Sequence, residues 1–337
     1  MLFLSYIGLI VIALLSLVIN LKTKWLRIFY LSFFSFSWSL LMRTADLNAD
    51  MNYYTFVMTY EDFLGVLISN PTQPILYSLQ WYLYSLINNT YWTWVASDLI
   101  FLFIFYQSLK NLNKTYSSKI NSENLKYFFP KIFFILLASW PYFIGFNLTY
   151  RQFAGTVVLF YALGKIRNHK IHASIIFLIS VFIHNAMFFF APLIGFLSNN
   201  KFLKYLSYIF ALMLPYLIFL ASSYGDYAYV GLLLAALYPL AISIICFMML
   251  LIVTAKGIRL KSEFTLSFLY LPYLSILTWI ILNNGAAERF GILSLSILLP
   301  IFIMFVLNHV KNKVLVLASI LAITIIPIFT FYQSLIA

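Results

Sequence analysis

The sequence predicts an all-α membrane protein, and three observations support that prediction. Of the 337 residues, 64% are hydrophobic and only 9% are charged, against about 45–50% and about 25% in soluble domains. Apolar runs recur along the whole chain, and charged residues gather between them. At roughly 20 residues per span, this length allows about 11–13 transmembrane or re-entrant helices. No room is left for a sizeable soluble domain.

Apolar runs separated by polar turns define the candidate spans. Several runs are shorter than a crossing requires. The run 75–88 is rich in Trp and Tyr, which favours a re-entrant or interfacial helix over two true crossings between residues 74 and 110. Residues 43–73 are predicted to form an extracytoplasmic loop with an interfacial helix over 52–69. The candidate spans cover residues 2–20, 25–42, 75–88, 91–109, 128–148, 152–164, 171–190, 187–199, 205–221, 229–254, 264–282, 290–308 and 314–334.

Basic residues predict which ends of the spans face the cytoplasm. The formal net charge is +12, and Lys and Arg on short loops mark the cytoplasmic side. From residue 126 onward, one apolar hairpin separates each basic cluster from the next, so the turns between should face outward. No repeat and no Gly/Ser linker divides the chain, so we predict one integral membrane domain over residues 1–337. The clusters lie at residues 22–27, 110–131, 165–170, 201–204, 256–261 and 311–313.

Several classes of chemistry are excluded or disfavoured. The single cysteine, Cys246, rules out an intrachain disulfide and a cysteine metal cluster. The chain contains neither a phosphate-binding Walker loop nor a dinucleotide glycine pattern. We therefore predict no cofactor, no metal and no nucleic-acid partner.

Three arginines fall at the outward turns, against the prevailing charge bias: Arg43, Arg151 and Arg289. A guanidinium stays charged and presents a planar fork of donors that matches phosphate and carboxylate. A single such arginine would be explained by its side chain reaching a lipid headgroup. Three at one face favour an anionic ligand there.

Other polar residues accompany these arginines. Asp46 and Asp50 follow Arg43, where they could act as a base or cap the next helix. His184 ends an apolar run and could donate to phosphate or move a proton, although a lone histidine is more often structural. Asp98 lies inside an apolar run, and its most economical role is to pair with one of the arginines. Glu288 precedes Arg289 directly, so on a helix the two would point in different directions.

The order of these motifs resembles the EpsG family of bacterial membrane proteins, which is grouped with the Wzy polymerases of O-antigen, capsule and exopolysaccharide. The resemblance rests on Arg43 to Asp50 and Tyr53, on the Arg-Gln pair within residues 147–154, on His184-Asn-Ala, and on Arg289. It implies a GT-C-like glycosyltransferase of the bacterial cytoplasmic (inner) membrane. Its substrates would be undecaprenyl-diphosphate-linked oligosaccharide repeats, joined at the outer face as in lipopolysaccharide or capsule synthesis.

On this resemblance, each candidate residue takes a role. Asp50, His184 and Arg151 would be catalytic, and the arginines would hold the donor diphosphate. The expected partners are lipid-linked oligosaccharides as donor and acceptor, membrane lipid, a chain-length regulator and a flippase. A lipid-linked oligosaccharide flippase, an O-antigen ligase-type enzyme and a membrane acyltransferase remain alternatives. The expected substrate-binding residues are Arg43, Asp46, Tyr53, Tyr150, Gln152, Asn185, Glu288 and Arg289.

Overall fold

The computed structural model describes residues 2–19, 21, 23–43, 49–60, 62–116, 127–147, 149–222, 232–257, 262–309 and 312–330. Within these ranges the chain forms helices and no strand, as predicted. The helices are α1 (Leu2–Val18), α2 (Lys24–Arg43), α3 (Ala49–Tyr60), α4 (Phe63–Ser69), α5 (Pro74–Ile87), α6 (Thr90–Tyr116), α7 (Phe129–Ala138), α8 (Trp140–Asn147), α9 (Tyr150–Lys165), α10 (Lys170–Ile183), a 3-10 helix (Asn185–Phe190), α11 (Ala191–Leu197), α12 (Lys201–Ser222), α13 (Leu232–Ala255), α14 (Ser262–Ile281), α15 (Asn284–His309) and α16 (Lys313–Thr330).

Five of the described helices are long and apolar enough to cross a membrane, and a sixth crossing results if α7 and α8 count as one bent span. The long apolar helices are those of a multi-pass membrane protein. The short helix α5 is outside this group, which fits the re-entrant or interfacial placement. Shorter apolar helices over residues 6–18, 170–183, 185–197, 265–281 and 313–323 accompany them.

Two helices form the centre of the bundle. Helix α9 is buried along almost its whole length and packs against α6, α8, α10 and α15. In α15, 83% of the apolar window is buried, against 17% in α12. Helix α12 therefore lies at the lipid-facing edge, whereas α9 and α15 lie largely inside the protein.

The span predicted over 128–148 is not one straight helix, because the chain bends by 71° between α7 and α8. Ser139 is extended at the bend, and Pro141 follows it in the first turn of α8. Proline lacks the N–H that would continue the hydrogen-bond ladder of α7, and in a continuous helix its ring would clash with the carbonyl four residues earlier. The break leaves both short helices buried in the core.

Two other helix boundaries in the structure differ from the predicted ones, because polar side chains cap the helices. The interfacial helix expected over 52–69 is divided into α3 and α4, and the Asp62 carboxylate accepts a hydrogen bond from the Gly65 N–H at the start of α4. Helix α15 begins six residues earlier than the predicted span 290–308, because Asn283 Oδ1 accepts from the Ala286 N–H at 2.9 Å. Glu288 and Arg289 consequently lie inside the helix and not in a turn.

Candidate functional site

Arg151 is the second residue of α9 and is partly exposed. Its Nη1 donates to Oε1 of Gln73, the residue before α5, at 2.9 Å. The guanidinium carbon lies 5.5 Å from the centre of the Tyr54 ring on α3, within the range of a cation–π interaction. Two elements far apart in sequence, α3 and the residue before α5, therefore contact the guanidinium group of Arg151.

His184 packs against the same face of α9. Gly155 is one turn after Arg151, and a Cβ placed on it would lie 3.1 Å from the His184 Cβ and 3.1 Å from Met187 Cγ. Residues four apart share one face of a helix. The missing side chain at Gly155 thus lets the extended residue His184, between α10 and the 3-10 helix, approach α9 beside Arg151.

The imidazole of His184 is buried although the residue as a whole is only half-buried. Among the described residues, neither ring nitrogen has a hydrogen-bond partner. Buried polar atoms without partners are rare and are one mark of functional sites. Both nitrogens remain able to bind a ligand or exchange a proton.

Burial and nearby positive charge keep the imidazole neutral. His184 lies in the break between helices, outside the segments that meet the length and hydropathy of a span. Burial, together with the positive charges of Arg151 and Arg289, lowers the pKa of His184 to about 3. At neutral pH the ring is therefore a proton acceptor.

Arg289, on α15, is the second arginine near His184. It is exposed and acts electrostatically on His184. The next residue, Phe290, forms an edge-to-face contact with Phe189 of the 3-10 helix at 5.2 Å between ring centres. This contact holds α15 against the segment that follows His184. We call Arg151, His184 and Arg289 the arginine–histidine cluster.

The cluster lies at the helix ends opposite the basic residues. Arg151 begins α9, which ends at Lys165, and His184 follows α10, which begins at Lys170. Arg289 is in the first turns of α15, which ends at His309. Under the predicted orientation, the three side chains share the outward face. Arg151 and Arg289 both act electrostatically on His184 from this end of the bundle.

The third arginine is not in the cluster. Arg43 is buried and forms a two-pronged ion pair with Asp98 of α6, with Nε–Oδ2 and Nη2–Oδ1 distances of 2.8 and 2.7 Å. The Ser39 hydroxyl donates to the same carboxylate at 2.6 Å. The prediction that Asp98 pairs with an arginine is confirmed, and we call Arg43 and Asp98 the interior pair.

Aromatic rings enclose the interior pair. The guanidinium carbon of Arg43 lies 5.2 Å from Trp94, 4.7 Å from Phe146 and 5.3 Å from Tyr150, measured to the ring centres. The Tyr150 hydroxyl is hydrogen-bonded to the Ser97 hydroxyl at 3.1 Å. Tyr150 and Arg43, both predicted to bind substrate, therefore serve the interior in this structure. This placement favours a role in positioning the helices over direct binding.

Gln152 also faces the interior. It lines a cavity of ≈ 10 Å³ with Tyr142, Thr156 and Ser296, far smaller than a sugar or a diphosphate. Among the described residues, Gln152 Oε1 and Thr156 Oγ1 lack hydrogen-bond partners. Adjacent residues on a helix are rotated by about 100°, so Gln152 cannot share the direction of Arg151.

The remaining predicted residues differ in burial, and two of them are not fully described by the structure. Asn185 and Tyr53 are exposed, and Tyr53 packs edge-to-face on Tyr77 at 6.2 Å. Glu288 is half-buried and acts electrostatically on Tyr238 and Arg289. Asp50 lies in α3, one turn before Tyr54, but its side chain is outside the described part of the structure, as is the whole of Asp46.

Sequence reasoning missed two residues that shape the cluster. Gln73, which binds Arg151, stands between Pro71 and Pro74, and a polar residue just before a helix-starting proline was the available signal. Gly155 is a small residue one turn from an intramembrane arginine, a spacing that marks a close helix contact. Among the described residues, no group of His, Cys, Asp or Glu is placed to hold a metal ion.

Comparison of the chain with protein-family models, with curated proteins and with solved structures finds no match.

Proposed function

We propose that this protein is a membrane glycosyltransferase that joins undecaprenyl-diphosphate-linked oligosaccharide repeats at the outer face of the bacterial cytoplasmic membrane. The observation that supports this proposal is the arginine–histidine cluster. Two guanidinium groups lie within electrostatic reach of an imidazole whose nitrogens have no partner among the described residues. The motif order that resembles EpsG and Wzy proteins supports the choice of substrate.

The cluster has the chemistry that a diphosphate leaving group needs. When the bond between the anomeric carbon and the diphosphate oxygen breaks, the electron pair leaves with the diphosphate. Fixed positive groups that face the developing charge lower the barrier of such a step. Arg151, oriented by Gln73 and Tyr54, and Arg289 are the proposed diphosphate ligands.

The same step needs a proton acceptor. A hydroxyl at the non-reducing end of a second lipid-linked repeat attacks the anomeric carbon and forms the new glycosidic bond, and its proton passes to a base. His184 lies beside the arginines, its ring nitrogens have no partner among the described residues, and a bound diphosphate would offset the positive charges that help to hold its pKa low. Asp50, on the helix that carries Tyr54, is the second candidate base.

The charge arrangement favours a transferase over a flippase. The cluster residues stand at one end of their helices, whereas a flippase needs binding groups along a path through both leaflets. The proposal includes a GT-C-like arrangement in which some of the shorter apolar helices complete about 11–13 transmembrane or re-entrant elements.

A direct test uses the purified protein in nanodiscs with undecaprenyl-diphosphate-linked repeats, followed by mass spectrometry. Wild-type protein should form products of two or more repeats on one lipid. Arg151→Ala and Arg289→Ala should each lower the rate by at least about tenfold. The matched control is Arg167→Ala, which removes an arginine from the opposite helix ends.

Each other outcome counts against the proposal. If only single repeats return while the lipid crosses the bilayer of reconstituted vesicles, the protein is a flippase. If the oligosaccharide is transferred only to a different acceptor, the protein is a ligase.

Comparing His184→Gln with Asp50→Asn identifies the base, because loss of the base should remove turnover while donor binding persists.

A further inference from the structure

A second site lies on the other side of the bundle, between α2, α6 and α7. These helices border an open groove of ≈ 1220 Å³. Most of its wall is apolar and includes Leu31, Leu102, Phe103 and Phe133. The groove shares none of its lining residues with the arginine–histidine cluster or the interior pair.

One end of the groove is basic. The described residues that line it include three cations, Lys24, Arg27 and Lys110, and no carboxylate. Lys24 is the first residue of α2, and Lys110 is near the end of the antiparallel α6. The three charges therefore gather at the end that the sequence assigns to the cytoplasm, opposite the arginine–histidine cluster.

Local contacts hold the basic end in place. Arg27 Nη1 donates to the Leu21 carbonyl at 3.1 Å, and its guanidinium carbon lies 5.2 Å from the centre of the Tyr127 ring. The ammonium of Lys110 lies 4.5 Å from the centre of the Tyr106 ring. These contacts fix the positions of the two cationic side chains at this end of the groove.

The length of the groove matches one leaflet of a bilayer. Along α2 it extends from Lys24 to Phe36, which is about 18 Å at 1.5 Å per residue. The hydrocarbon core of one leaflet is roughly 15 Å thick, half of the full core. A lipid with its phosphate at Lys24 would therefore lay one chain along the apolar wall and end near Phe36.

We propose that this groove binds an anionic phospholipid of the cytoplasmic leaflet. The phosphate group lies among Lys24, Arg27 and Lys110, and an acyl chain packs on Leu31, Leu102 and Phe133. The apolar length favours a lipid over a water-soluble phosphate, which would use the basic end alone. The concentration of positive charge at that end favours an anionic headgroup over a zwitterionic one.

Photocrosslinking in nanodiscs tests this proposal. Phosphatidylglycerol and phosphatidylcholine, each with a diazirine on the acyl chain, are compared at equal mole fraction, and the labelled peptides are identified by mass spectrometry. Labelling within residues 24–36 and 99–111 should be at least about fivefold stronger with phosphatidylglycerol. Adding millimolar glycerol phosphate should not reduce it.

Three variants locate the effect. The triple variant Lys24→Gln, Arg27→Gln and Lys110→Gln should abolish the preference for phosphatidylglycerol. The control Lys165→Gln, Lys170→Gln and Lys204→Gln removes the same charge from helix ends outside the groove and should retain it. Ser32→Trp, which narrows the groove, should lower labelling by both lipids.

Three results would overturn the proposal. Equal labelling of the groove by both lipids would show that charge does not select the occupant. Labelling that maps outside α2, α6 and α7 would place the lipid elsewhere. Displacement of the lipid by glycerol phosphate would identify the basic end as a site for a soluble phosphate compound.

Discussion

Arg43 closes α2 inside the bundle, whereas Arg151 begins α9 at a partly exposed position. The Arg43 guanidinium donates two hydrogen bonds to the Asp98 carboxylate, and aromatic rings pack around it. Arg151 contacts the neutral Gln73 amide and the Tyr54 ring. Two arginines with the same sequence signal thus lie in different surroundings: the first stabilises the helix packing from inside the bundle, and the second is at a partly exposed helix start, where we propose that it binds an anionic substrate.

The interior pair gives the largest expected effect. Asp98→Asn leaves the Arg43 charge buried without its counterion, which should lower the free energy of unfolding by about 3–5 kcal/mol. Thermal unfolding in detergent measures this change. Asp62→Asn, at the exposed cap of α4, is the control and should change stability by less than about 1 kcal/mol.

The double variant Arg43→Met and Asp98→Leu sharpens the comparison, since apolar replacements of a buried ion pair are often tolerated. It should recover most of the stability and retain turnover. Loss of turnover in a stable double variant would instead show that Arg43 contacts substrate.

Arg151 should be sensitive to geometry and not to charge alone. Arg151→Lys keeps the cation but loses the planar fork, so turnover should fall by about 10–100-fold. Arg167→Lys, at the opposite helix ends, should leave the rate of repeat joining unchanged. Equal rates for wild-type protein and Arg151→Lys would contradict the two-pronged recognition of a diphosphate.

The contact between α9 and His184 predicts a smaller effect. The Cβ added by Gly155→Ala lies 3.1 Å from His184 Cβ, so His184 must shift, and turnover should fall several-fold, equivalent to about 1 kcal/mol. Gly145→Ala is the matched control, because its added Cβ would meet Phe153 at an ordinary 3.5 Å. The idea fails if both glycine variants turn over at the wild-type rate.

The smallest effect at neutral pH is that of His184 on stability, because its titration acts only at lower pH. The pKa of His184 is lowered to about 3 by burial and by the two arginines, whereas an unfolded histidine titrates near 6.5. Below pH 6.5 the unfolded chain binds the additional proton, so His184 makes stability fall as the pH drops from 6.5 toward 3. His184→Gln should flatten this slope in thermal unfolding curves.

The control for this titration is His172→Gln, which changes an exposed histidine at the other end of α10. The wild-type slope should persist in that variant. A His184→Gln slope identical to wild type would mean that His184 has the same proton affinity in the folded and unfolded chain.

The helical membrane class and the positions of single polar residues at helix ends could be predicted from the sequence. Arg151 does begin a helix, His184 does end one, and Asp98 does pair with an arginine. The length of an apolar run and the clustering of charged residues at its ends are local properties of the sequence, so they do not depend on tertiary packing. Which arginine forms the ion pair with Asp98 depends on the packing of α2 against α6, and no local sequence pattern specifies that packing.

The failures have a common physical origin in side-chain direction. Tyr150 and Gln152 flank Arg151 in sequence, yet both point into the core, because helix rotation separates neighbours. Gln73 joins the cluster through a tertiary contact across 78 positions of sequence. The break at Ser139 could have been anticipated from Pro141, since proline ends the preceding helix.

The most direct test of the central claim is the affinity of purified protein for undecaprenyl diphosphate in nanodiscs, measured for Arg151→Gln, Arg289→Gln and the double variant. If both guanidinium groups hold the same diphosphate, each single variant should weaken binding by at least about tenfold, and the combined loss should differ from the product of the single losses. Arg167→Gln should bind as wild type. Wild-type affinity in the double variant would contradict the account.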